Sequence, residues 1–102
     1  MRIDVSVIEK TNDGIDYIGS IEGGELKITL RSFKENGLKN LCFVGWIGNT
    51  IFNSKQSKEI LKEIEHLFGE GLLPKIVYKL IKDGAERVES SPGVHYLLFE
   101  GE

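Results

Sequence analysis

The stretch Phe43–Gln56, F-V-G-W-I-G-N-T-I-F-N-S-K-Q, joins the most apolar strand candidate to the first strong helix candidate and holds the only tryptophan. Leu41, Phe43 and Ile47 share one parity, and Cys42, Val44 and Trp46 share the other. Successive strand side chains point to opposite faces, so this segment reads as a strand apolar on both sides and interior to a sheet. Gly45 suits a bulge, and Gly48-Asn49 suits a turn. Asn53 is a good helix N-cap, with Gln56 at capping-box spacing and Ser54 as a competing cap. Asn49, Thr50 and Asn53 also admit a second reading, as a polar rim that binds a ligand. Local turn and cap chemistry accounts for all three without one.

Outward from this junction, the chain alternates in short runs. Ile3, Val5 and Val7 mark a half-buried strand. Asn12-Asp13-Gly14 reads as a hairpin turn, and Ile15, Tyr17 and Ile21 as the inward set of a second strand. Gly23-Gly24 reads as another turn, with Leu26, Ile28 and Leu30 as a third strand. Beyond the junction, Ile60, Leu61, Ile64, Leu67 and Phe68 form one helical stripe, and Gly69 suits its end. Pro74 fits the first turn of a second helix, with Ile76, Val77, Leu80 and Ile81 as its stripe and Asp83-Gly84 as an end or weak point. Val94–Phe99 closes the chain as a strand.

The expected architecture is therefore α+β over a single domain of residues 1–102. It has a five-stranded, mainly antiparallel sheet in element order β-β-β-β-α-α-β, with two helices on one face. The other face would carry Ile8, Ile18, Phe33, Cys42, Val44, Trp46, Leu97 and Phe99. An uncovered apolar set of that size marks a homodimer or partner interface, unless sheet curvature buries it.

Composition agrees with a folded chain of ordinary make-up: 102 residues, 40% hydrophobic and 28% charged. No apolar run approaches the roughly 20 residues of a membrane span. M-R-I-D-V-S-V lacks a signal-peptide core, so a cytoplasmic location is expected. Net charge is −3, unevenly spread. Glu9–Glu25 and Asp83–Glu102 each hold five acids and one base, while Leu26–Lys82 holds ten bases and five acids. If the acidic stretches converge, Asp13, Asp16, Glu22, Glu25 and Glu100 form an acidic face that steers a basic protein partner, while Trp46 belongs to the partner or dimer interface of the second face. Two solvated edges are the simpler alternative.

Two motifs carry a resemblance. G-N-T-I-F-N-S-K-Q at Gly48–Gln56 precedes the I-L-K-E-I-E-H-L helix, and V-H-Y-L-L-F-E-G-E ends the chain. Together they resemble a group of small bacterial proteins of unknown function with G-D-T-x-F-N-x-x-Q before a helix and H-x-Y-L-x-F-x-G-D at the end. The likeness spans roughly the C-terminal 60 residues. This chain departs at Asn49 and Glu102, where that group usually has Asp, and sets His95 directly beside Tyr96. The resemblance implies a fold and a bacterial origin but no activity. In general character the chain is also similar to immunity proteins, which neutralise a cognate toxin.

The chemistry on offer is sparse. Cys42 and His95 would be the one nucleophile–base pair if strand pairing brought them together, although a lone strand cysteine is usually a small buried hydrophobe. Two histidines without acids or thiols at ligand spacing make no metal site, and no cofactor is implied. The lysines of the two helices interleave with Glu59, Glu63, Glu65 and Glu70, which argues against nucleic acid. Three functions follow as expectations. The first is a non-enzymatic protein-binding module of immunity type. The second is a small enzyme or ligand-binding domain using Cys42 and His95, and the third is a homodimeric structural protein.

Overall fold

Alternation of Ile3, Val5 and Val7 with polar neighbours builds strand β1 (Arg2–Glu9), whose apolar parity is buried. The chain returns antiparallel as β2 (Ile15–Glu22). The structure, a computed structural model, describes residues 1–11, 14–45 and 47–101. Asn12 and Asp13 of the expected hairpin turn lie outside the described residues, but the Glu9 N–H donates to Gly14 O at 2.9 Å and closes the hairpin. Helix α1 (Gly23–Glu35) follows, then a 3-10 turn at Leu41–Phe43 and strand β3 (Asn49–Phe52). Helices α2 (Ser54–Gly69) and α3 (Lys75–Glu89) lead to strand β4 (His95–Glu100). The sheet order is β2-β1-β4-β3, antiparallel throughout.

The α+β class and the antiparallel sheet agree with the expectation. Among the described residues, however, the sheet has four strands rather than five, and three helices rather than two accompany it. The expected third strand lies inside α1. Leu26, Thr29, Leu30 and Phe33 fall at helical spacing, and the helix buries Leu26, Thr29 and Phe33 while leaving Ile28 exposed.

The expected organising strand is also replaced. Leu41–Phe43 tightens into a 3-10 turn, Leu41 and Val44 are buried, and Phe43 and Ile47 face outward. Glu63 of α2 explains the change. Its carboxylate accepts from Asn40 N–H at 3.1 Å, Leu41 N–H at 3.0 Å and Asn40 Nδ2 at 2.8 Å. Backbone donors satisfied by a helix side chain are not available to a neighbouring strand. Pairing begins only at Asn49, where a turn was expected.

Local signals elsewhere hold. Asn53 caps α2 in a reciprocal box: Gln56 N–H donates to Asn53 Oδ1 at 2.8 Å, and Asn53 N–H donates to Gln56 Oε1 at 3.0 Å. Two signals at α3 are corrected: Pro74 is its N-cap and not part of its first turn, and the helix does not end at Asp83-Gly84 but continues to Glu89. Phe68 stacks on Tyr78, with centroids 4.3 Å apart, and joins the two helices.

One buried cluster unites Ile3, Val5, Val7 and Ile21 with Phe52, Leu97, Phe99 and the inward residues of all three helices. The helices therefore lie on one sheet face. Phe33, Val44, Leu97 and Phe99, expected on the uncovered face, are core residues, and Ile18 packs against them. Ile18 is the extra residue of a β-bulge: Gly19 stands opposite Val5 and Tyr17 opposite Ser6. Cys42 lies in the 3-10 turn, away from the sheet, and Trp46 lies outside the described residues. Of the described members of the expected second-face set, only Ile8 belongs to the bare face. No helix among the described residues is long and apolar enough to cross a membrane.

Candidate functional site

The sheet face opposite the helices is uncovered among the described residues and carries several large exposed apolar side chains. Strand register orders it into three rows. Ser20, Asp4, Glu100 and Asn49 form the first; Tyr17, Ser6, Leu98 and Ile51 form the second; Ile15, Ile8 and Tyr96 form the third. Ile15 is 69% exposed, Tyr17 57% and Ile51 54%. Leu98 and Ser6, central in the middle row, are buried among these neighbours. A surface with a shielded apolar centre and large exposed apolar side chains on either side suits protein contact better than a small-molecule cleft.

Charge is concentrated at one end of this face. Glu22 pairs in register with Arg2, beyond the Ser20–Asp4–Glu100–Asn49 row. Asp4 is held by Ser20 Oγ, which donates at 2.6 Å, and by Arg2 Nε at 3.2 Å. The Tyr17 hydroxyl hydrogen-bonds Ser20 and extends the network across β2. Asp4, Glu22 and Glu100 against Arg2 leave this end acidic, while the opposite end is Ile15, Ile8 and Tyr96.

The residues singled out in the sequence separate into several places. Glu22 and Glu100 lie at the acidic end, and Glu25 follows Glu22 in the first turn of α1. Asp16 is elsewhere: at the hairpin end of the sheet it is ion-paired with Arg87 of α3, which also binds Asp83 through Nε at 3.1 Å. Asp13 and Trp46 lie outside the described residues. Asn49, Thr50 and Asn53 do not converge on one rim. Asn49 is on the bare face, opposite Glu100, whereas Thr50 is of the opposite parity, opposite Phe99, and Asn53 is occupied by the cap.

Cys42 and His95 are likewise apart. The Cys42 Sγ contacts Lys39 O at 3.9 Å, and Lys34 Nζ donates to Cys42 O at 3.3 Å. His95 begins β4 opposite Glu9, with Nε2 3.7 Å from Glu9 Oε1. Its Nδ1 is buried and lacks a hydrogen-bond partner among the described residues. His95 lines a cavity of about 410 Å³ with Glu9, Asp16, Arg87, Ser90 and Ser91. No cluster of three or more His, Cys, Asp or Glu side chains among the described residues is arranged to hold a metal.

Clear pKa displacements lie off the bare face. The Tyr78 hydroxyl hydrogen-bonds the Glu65 carboxylate, which holds the phenol protonated and raises its pKa. Lys82 is raised in turn, first by its hydrogen bond with Tyr78. Glu59 is lowered by hydrogen bonds from Lys39 at 3.4 Å and Asn40 at 3.5 Å.

Sequence reasoning missed Ile51, Tyr96 and the shielded Leu98 as residues of this face, and it placed Ile15 and Tyr17, which the structure exposes here, in the inward set of the second strand. The signal was present in the last strand, whose two parities, Tyr96/Leu98 and Leu97/Phe99, are both apolar. With one helix layer, one of those parities had to face outward. No protein-family model matches the chain, and comparison with curated proteins and solved structures returns no match.

Proposed function

We propose that this chain is a non-enzymatic protein-binding module that acts in the cytoplasm, in the manner of an immunity-type inhibitor of a bacterial toxin. The bare sheet face carries the reading: exposed Ile15, Tyr17 and Ile51 lie on it with the shielded Leu98, beside an acidic end formed by Asp4, Glu22 and Glu100. An apolar surface supplies contact area, and a one-signed rim speeds encounter with a partner of opposite charge. A basic protein is the fitting partner. The separation of Cys42 from His95 favours binding over nucleophilic catalysis.

The test is an affinity pull-down from native extract, run in parallel with wild type, Ile51→Lys and the pair Glu22→Lys/Glu100→Lys, and read by mass spectrometry. A basic protein recovered in stoichiometric amount with wild type, and lost with both variants, is the expected result. Recovery that ignores both variants overturns the assignment of this face. Bait alone, with a dimer in analytical ultracentrifugation that Ile51→Lys dissociates, replaces it with self-association.

A further inference from the structure

A second surface, on α1, has the opposite character. Lys27, Arg31 and Lys34 are spaced i, i+4 and i+7 and project along one stripe of the helix. With Leu30, Glu35, Gly45 and Ile47 they line a cleft of about 620 Å³ between the helix and the segment leading to β3. Neither Lys27 nor Arg31 has a carboxylate partner among the described residues, and Lys34 spends one donor on Cys42 O. Glu35 is the one acid among the described lining residues. Ile47 is 75% exposed, and Phe43, also exposed, lies in the adjoining turn.

We propose that this cleft docks an acidic, amphipathic segment of another protein. The three cations extend over about 10 Å of helix, given a rise of 1.5 Å per residue, and match carboxylates repeated once per turn on a partner helix. Leu30 and Ile47 supply the apolar floor that aliphatic side chains from the same segment would cover. That floor favours a peptide over a nucleic-acid strand, whose phosphates would meet Glu35 and find no use for Ile47. The cleft is separate from the bare sheet face, so the two surfaces accept partners of opposite charge independently.

A fluorescently labelled, helix-forming peptide of Glu and Leu, titrated with the full chain at low salt and read by anisotropy, tests this. Saturable binding is expected, weakened about tenfold or more by Lys27→Glu/Arg31→Glu and several-fold by Ile47→Ser. Glu22→Lys/Glu100→Lys should bind as wild type does, which keeps this result distinct from the sheet-face assignment. Amide shift mapping on wild type should place the perturbation at Lys27, Arg31 and Ile47. Absence of binding, equal binding of a Lys–Leu peptide, indifference to the double reversal, or shifts confined to the sheet overturns the proposal. So does a single-stranded oligonucleotide that binds more tightly than the peptide at the same residues.

Discussion

Gly84 of α3 and Leu97 of β4 are in direct apposition: a Cβ at position 84 would lie 2.9 Å from Leu97 Cδ1. Ile18 Cγ1 and Val5 Cγ1 would follow at 3.8 and 3.9 Å. Glycine mid-helix here leaves room for the sheet side chains that pack against α3 at this point. A glycine that weakens an isolated helix here permits the packing that stabilises it.

Gly84→Ala tests that relationship. Alanine gains about 1 kcal/mol of helix propensity, but forcing a methyl into a filled core costs about 1–3 kcal/mol. The expected result is a lower urea midpoint, by the equivalent of about 1 kcal/mol. Adding Leu97→Val should recover part of the loss, so that the two substitutions are non-additive in a double-mutant cycle. Simple additivity would show that the two side chains do not compete for space.

Glu63 should contribute more to stability than an ordinary helix-surface carboxylate. It accepts from the backbone of Asn40 and Leu41 and from the buried Asn40 side chain. Glu63→Ala leaves these donors unpaired, at about 1–3 kcal/mol for each donor that water cannot reach. Chemical denaturation should register a loss of about 2–3 kcal/mol, with early hydrogen exchange at Asn40 and Leu41. Exchange unchanged at those two amides would contradict the role given to Glu63.

The Asn53 cap predicts a smaller effect. Asn53→Ala should cost about 1 kcal/mol, read as a lower thermal midpoint, while Asn53→Asp should retain most of the cap. Loss of partner binding without loss of stability would instead assign Asn53 to a ligand.

Alkaline stability should depend on Tyr78. Its folded-state pKa is raised above the ordinary value of 10.0 by the Glu65 hydrogen bond. The neutral phenol is the favoured form, so this contribution is complete below the unfolded value and is lost as pH rises through the folded one. Tyrosinate absorbance of wild type minus Tyr78→Phe should give a step above the ordinary tyrosine range. Tyr78→Phe should also flatten the decline in stability on the alkaline side, while retaining the stack on Phe68.

How much was legible followed the range of the forces involved. The capping box, the helical stripe of α2 and the alternation of β1 are set by neighbours within a few residues, and these were read correctly, as was the placing of a strand at the end of the chain; in α3 the stripe held at Val77 and Ile81 but not at exposed Ile76. Leu26–Arg31 satisfies alternation and helical spacing equally well over six residues. Only Thr29 and Phe33, at helical spacing from Leu26, separate the two, and α1 is secured by burying them against the sheet. Leu41–Ile47 is apolar enough for a buried strand, yet its first amide, at Leu41, and that of Asn40 before it are claimed by Glu63, more than twenty residues away.

The same division applies to the candidate surfaces. Residue order alone determined the acidic ends, the basic middle and a last strand apolar on both parities. Tertiary structure decided which parity met the helices. It sent Asp16 to Arg87 while leaving Glu22 and Glu100 together, and it parted Cys42 from His95. Those outcomes depend on strand order and pleat phase, which are settled by burying the most apolar surface across the whole chain at once, and no local window contains that sum.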